Sequence, residues 1–273
     1  MIIKIELNNS IFKTDTSLPI EISIPILFNG EQPNTYGVAK ATAEAVKTAD
    51  FTGDTRQGGN CNFEEYKLIP HCNGTHTECV GHISFERISI NNVLKDSFIP
   101  STLITVLPEN ANETDDKCIP EINADDYLIT KKVLQNKLDN SQTDFLEGLI
   151  IRTLPNSDSK KARNYMNNLP CFFSIEAMEY IVSLNVKHLL IDIPSVDRTF
   201  DEGKLTAHHI YWNVPLESYD VDINKHSMKT ITEMIYVSNE IPDGKYLMNI
   251  QIPDFAADAA PSRVLLYELI IIN

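Results

Sequence analysis

Three histidines and a glutamate fall within one twelve-residue segment, His71-Cys-Asn-Gly-Thr-His76-Thr-Glu78-Cys-Val-Gly-His82. Imidazole and carboxylate are the donors that zinc, manganese and iron take. Residues 76, 78 and 82 share parity, so an extended strand presents all three on one face. The Asn73-Gly74 dipeptide before them is a tight-turn signal, suited to a bend that returns His71 to the same spot. The remaining histidines are 188, 208, 209 and 226, and Glu233 sits in an apolar Met-Ile-Tyr-Val context. Clustering alone leaves two readings open: a metal site, or histidines gathered in a polar loop with Glu233 facing solvent.

The elements that must position these groups are partly legible. Residues 2–8 and 20–27 alternate like strands, and apolar strand-like stretches recur at 83–90, 102–107, 148–153 and 187–193. Further strands are expected at 233–238, 246–252 and 263–272. Residues 38–49 have helical composition with weak amphipathicity, and a glycine-bearing loop covers 51–62. One helix is expected near 124–138. Another opens at Ser174, with Glu176 and Ala177 in its first turn, and leads directly into strand 187–193. A helix followed by a strand in this way suggests packing on a sheet. There is no internal repeat, low-complexity segment or convincing linker, so one mixed α/β domain over residues 1–273 is expected.

Bulk properties narrow the function classes. A chain of 273 residues, 42% hydrophobic and 22% charged, buries a sizeable core. Its net charge of -15, from 23 Lys plus Arg against 38 Asp plus Glu, repels phosphate backbones and anionic lipid surfaces. Neither nucleic acid nor membrane is therefore an expected partner. No apolar run approaches membrane-spanning length and no leader pattern stands at the start. The five cysteines (61, 72, 79, 118, 171) show no CxxC spacing and are expected to be reduced thiols in a cytoplasmic protein. No Gly-x-Ser-x-Gly elbow, Walker motif or GxGxxG run appears, which disfavours covalent catalysis and nucleotide binding.

The histidine segment resembles the metal-binding signature of the cyclase family, whose best-described members are bacterial kynurenine formamidases and isatin hydrolases. That signature reads His-x-Gly-Thr-His-x-Asp, with another His four residues after the Asp. Gly74-Thr75-His76-x-Glu78 matches its centre and His82 falls at the right offset. In the family's order, Phe51-Thr-Gly53-Asp54 resembles its aromatic-Pro-Gly-Asp turn and Leu149-Ile-Ile-Arg152-Thr153 its strand ending in Arg-Thr. Ile191-Asp192-Ile-Pro194-Ser195-Val-Asp197 resembles its Gly-x-Asp-x-x-Ser-x-Asp stretch. Thr206-Ala207-His208 and Ile231-Thr-Glu233 resemble the segments that supply its late ligands.

The resemblance implies a single α/β domain of the swivelling β/β/α type, with a mixed β-sheet core flanked by helices. It implies one or two divalent ions, zinc or manganese, held by His71, His76, Glu78, His208 and Glu233, with His82 as proton shuttle. The implied reaction is hydrolysis of a small amide, formamide or lactam by metal-activated water, and the implied assembly is a homodimer or higher homo-oligomer. His208 is preferred to His209 because it directly follows Ala207; on a strand the two would face opposite sides. Asp197 and Ser195 are expected to structure a loop, Arg152 to pair with an acidic neighbour, and His188 and His226 to be structural or surface residues. Cys72 and Cys79 flank the ligands without joining them. Two departures stand out: Glu78 replaces the family's Asp, and His71 and His76 are five residues apart instead of four. An extra residue in a strand flips the side chain to the other face unless a bulge or turn absorbs it. The alternative function is a catalytically altered metal- or small-ligand-binding member of the same fold.

Overall fold

The computed structural model describes residues 1–7, 10–138 and 144–272; residue 8 of the expected first strand lies outside them. Its centre is a nine-stranded mixed sheet. From one edge to the other the strands are Ala259–Pro261, His76–Glu78, Thr230–Glu233, His188–Ile191, Gly148–Thr153, Ile99–Val106, Gly244–Gln251, Arg263–Glu268 and Ile20–Glu21. The four strands from Thr230–Glu233 to Ile99–Val106 run parallel, and antiparallel strands extend the sheet on both sides. Parallel strands covered on both faces need near-continuous apolar sequence. Gly148–Thr153 meets that demand, with every residue buried.

Alternate residues of the central strands divide between two cores. Leu149, Ile151, Leu189 and Ile191 pack beneath the helices with Ala177, Met178, Ile181 and Tyr211. Ile150 and Leu190 face the other way and meet Ile22, Ile235, Met248 and Leu266. The sheet curls, so its own flanking strands cover that second face. The helix expected at Ser174 spans Ile175–Ser183, and the Ser174 hydroxyl accepts from the Ala177 amide at 3.0 Å.

Several elements differ from expectation. Residues 38–49 hold a strand, Thr42–Ala45, paired with Glu64–Lys67. The alanine-rich run has no apolar stripe to anchor a helix, so pairing overrides propensity. Residues 83–90 form no strand: a short 3-10 helix, Val80–Ile83, and one helical turn, Ile90–Val93, flank an irregular stretch. The helix expected over 124–138 is strand Tyr127–Ile129 followed by helix Lys131–Gln135, which Thr130 caps. The 20–27 strand shortens to Ile20–Glu21, with an isolated bridge from Ser23 to Ile235, and Pro25 offers no amide to extend the ladder. The 233–238 strand starts earlier, at Thr230, and stops at Glu233 because Met234 adopts φ 53°.

Candidate metal centre

The strand His76–Glu78 lies between two antiparallel neighbours. Its register sets His76 opposite Glu233 and Pro261, and Glu78 opposite Ile231 and Ala259. His76 and Glu78 are two residues apart and share a face, and Glu233 projects beside them. All three are buried and form one compact donor group, with His76 Nε2 3.3 Å from Glu233 Oε2.

His71 reaches the group by a different route from the expected bulge. Residues Pro70–Asn73 form a single helical turn, with Pro at its start and Asn73 Oδ1 accepting from the Ile69 amide at 2.7 Å. That turn absorbs the extra residue in the His71–His76 spacing. Gly74 then runs extended, and a Cβ there would meet Ile26 Cγ1 at 3.0 Å. His71 Nε2 ends 3.4 Å from Glu78 Oε2.

The parity argument holds for residues 76 and 78 but not for 82. The strand ends at Glu78, and the 3-10 helix Val80–Ile83 brings His82 back, its Nδ1 3.8 Å from Glu78 Oε2. Gly81 makes this return possible, since a Cβ there would sit 1.9 Å from the Ile88 carbonyl oxygen.

His208 lies on a helix, Thr206–Trp212, not on a strand. Leu205 enters with φ 46° and provides no side-chain cap. Asp197 replaces the cap from a distance: Oδ1 accepts from the Ala207 amide at 2.7 Å and Oδ2 from the His208 amide at 3.2 Å. The same carboxylate holds His208 Nδ1 at 2.5 Å, which turns Nε2 toward Glu78 Oε1 at 2.9 Å. His209, about 100° further round the helix, donates instead to the Val214 carbonyl at 3.3 Å.

Asp258 was not legible in the sequence. It precedes the edge strand Ala259–Pro261, and its Oδ2 lies 3.1 Å from His71 Nε2 and 3.4 Å from His82 Nδ1. All five expected ligands therefore converge, joined by His82 and by this additional carboxylate.

The electrostatics are those of a site built for positive charge. Among the described residues, Glu78, Glu233, Asp197 and Asp258 form ion pairs only with histidine. Burial opposes ionisation of Glu78, but the charges of His82 and His208 overcome it and hold the carboxyl well below its usual range. Burial likewise opposes charge on His208, yet Glu78 and Asp197 lift it well above the ordinary imidazole value. His71 rises to about 10 against its own burial, through contacts with Asp258 and Glu78. Without a cation, protons on these imidazoles would have to supply the positive charge that the carboxylates require.

A divalent cation fits the donor set better. Among the described residues, eight buried side-chain polar atoms have no hydrogen-bond partner, and three of them are His71 Nε2, His76 Nε2 and Glu78 Oε2. Buried polar atoms are rarely left unpaired, so three in one place need a common explanation. His76 Nδ1 faces the Gly74 carbonyl at 3.0 Å; a carbonyl only accepts, so Nδ1 carries the proton and Nε2 presents its lone pair. Donors about 2.1 Å from a tetrahedral ion stand about 3.4 Å apart. The spacings here, from 2.9 Å for His208–Glu78 to 3.8 Å for His208–Glu233, bracket that value.

The family model described as "Putative cyclase" matches residues 14–198, well over half of the 273 residues. The chain belongs to the cyclase family. The cyclase fold also appears in solved structures. A predicted metal-dependent hydrolase from Bacillus stearothermophilus is 18% identical, with TM-score 0.54 over 92% of this chain and 98% of the other. Isatin hydrolase A from Labrenzia aggregata, bound to benzyl benzoate, is 11% identical, with TM-score 0.54 over 92% and 93%. A structure described as a novel cyclase is 11% identical, with TM-score 0.59 over 93% and 88%. No curated protein matches.

Two other cyclase-like motifs of this chain make contacts away from the centre. Asp54 caps the short helix Thr55–Gln57 and pairs with Arg56 at 2.9 Å. Arg152 binds Asp243 at 3.0 Å and the carbonyls of Ser238 and Ile241. His188 is buried between Thr230 and Asp96, and His226 contacts the Ser227 carbonyl. Cys72 and Cys79 are buried beside the centre, their thiols pushed up by burial to about 11 and about 12, and neither joins a donor group. All five cysteines are unpaired. Among the described residues no helix is long and apolar enough to cross a membrane.

Proposed function

We propose that this chain is a metal-dependent hydrolase of a small amide, formamide or lactam. The observation that carries the reading is the set of orphaned buried donors, His71 Nε2, His76 Nε2 and Glu78 Oε2, gathered with His208 and Glu233. His76, Glu78, His208 and Glu233 would hold zinc or manganese, with His71 at the margin. Such a cation lowers the pKa of a water from 15.7 towards about 7 and polarises a carbonyl.

The chain's own groups supply the rest. Asp197 and the Gly74 carbonyl fix the ring orientations of His208 and His76. Glu233 is itself anchored by the Val196 amide at 3.0 Å. His82, more exposed than the buried ligands, would pass a proton to the leaving nitrogen, a role worth roughly 100- to 10,000-fold. Glu78, though longer than the family's Asp, reaches both His208 and His71, so the substitution leaves the donors together.

The test is elemental analysis of the purified protein, followed by assay of the metal-loaded chain on N-formylkynurenine, isatin and simple lactones. Turnover that disappears in His82→Ala while metal content persists supports the hydrolase. Metal binding without turnover of any of these compounds would favour the catalytically altered alternative.

A further inference from the structure

A cavity of about 270 Å³ lies at the carboxyl ends of the parallel strands, and none of the metal-centre donors lines it. At about 4.8 Å per strand, Thr153 in its lining stands two strands, about 10 Å, along the sheet from Glu233. Leu107, Leu154, Leu169 and Ile193 give it apolar walls. Its polar groups differ in what they have left to offer. The Lys160 ammonium is buried and already neutralised, donating to Asp192 Oδ2 at 2.7 Å and to the Thr153 carbonyl at 2.7 Å. Cys171 stays a neutral thiol, pushed up to about 12 by burial. Tyr165 is different. It is 1% exposed and lines the cavity, yet its hydroxyl makes no hydrogen bond among the described residues. Buried polar atoms are rarely left so. Burial and the Asp192 charge keep this hydroxyl protonated well above the usual tyrosine range, so it has a proton to donate. Arg163 lines the same cavity, its guanidinium carbon 5.6 Å from the Tyr165 ring centroid. Its hydrogen bonds go to the Ser157 and Ser159 hydroxyls. Among the described residues it pairs with no carboxylate, in a chain of net charge -15.

We infer that this cavity is a separate small-molecule site, which takes a compact apolar carboxylate. The ring or branched chain lies against the leucines, and the carboxylate accepts from the Tyr165 hydroxyl and the Arg163 guanidinium. One ligand group thus supplies the partner that each of these side chains lacks. Bonds to an ionised acceptor are shorter and stronger than neutral ones. Lys160 is spent on Asp192, so the one remaining guanidinium matches a single negative charge. The size agrees: a cavity of about 150 Å³ holds benzene, and 270 Å³ leaves room for one ring and its carboxylate. No side chain is shared with the metal centre, so the site stands or falls independently of the hydrolase reading.

The full chain is titrated with sodium benzoate, once with Zn2+ present and once after chelation, and binding is followed by saturation-transfer NMR. Wild type should bind benzoate alike in both states. Tyr165→Phe, which removes one oxygen, and Arg163→Gln should each weaken binding about tenfold or more, the worth of a hydrogen bond to a charged group. Benzyl alcohol, which keeps the ring and drops the charge, should bind wild type more weakly by a similar factor. Leu169→Trp, at a half-exposed position in the wall, should block benzoate as well. No binding by wild type, binding only with Zn2+, or undiminished affinity in the Tyr165 and Arg163 variants overturns the site. Equal affinity for benzyl alcohol and benzoate overturns the carboxylate.

Discussion

Asp197→Asn isolates the role of a residue that touches no cation itself. The carboxylate holds His208 Nδ1 at 2.5 Å and thereby leaves Nε2 as the donor facing Glu78. Asparagine keeps the size but can set an amide N–H against Nδ1. Nδ1 must then accept, and the ring proton moves to Nε2, the position a cation needs. Losing an orienting partner of this kind costs about 10- to 100-fold in metal affinity, or about 1.4 to 2.7 kcal/mol. Asp197→Ala also removes the acceptor for the Ala207 and His208 amides, a capping loss of about 1 kcal/mol in the metal-free protein. Competition for Zn2+ against a chromogenic chelator measures the first quantity and urea unfolding of the stripped protein the second. A Zn2+ Kd for Asp197→Asn within twofold of wild type would refute the tautomer argument.

Three further outcomes are expected. Burial pushes His188 down from 6.5 to about 4, so the folded state resists taking a proton that the unfolded chain accepts. Stability from this residue is complete above pH 6.5, is lost progressively between 6.5 and 4, and amounts to about 3 kcal/mol; urea midpoints across that range should flatten in His188→Gln. Gly81→Ala drives a methyl into the Ile88 carbonyl and should cost about 1–3 kcal/mol and lower turnover through His82, with normal stability and turnover counting against the close approach. Saturating Zn2+ at about 100 times its Kd should stabilise the stripped chain by about 2.7 kcal/mol, roughly 5–10 °C in Tm; an unchanged melting curve would contradict binding to the folded form.

The parts of this fold that the sequence makes legible are those where one force dominates. The fully apolar Gly148–Thr153 run fits only a covered parallel strand, and Ser174 with its following turn states a helix start in local chemistry. Residues 38–49 mislead because alanine favours a helix weakly and the deciding partner, Glu64–Lys67, lies some twenty residues on. At the site, the residues that gather were legible and their conformations were not. His208 reads equally as strand or helix until Asp197 satisfies the helix's first amides, and His71 returns by a helical turn where a bulge was expected. Asp258 sits between alanines with no local periodicity, and only the pairing of Ala259 with Glu78 brings it into the centre.

That edge strand has a mechanical side. Among the described strands Ala259–Pro261 pairs only with His76–Glu78, at the rim of the sheet, so backbone pairing grips it along one flank. The contacts of Asp258 with His71 and His82 rivet this rim to a segment far away in sequence. Amide exchange at residues 258–262 should therefore quicken in Asp258→Asn, and the rim is where loosening of the centre is first felt.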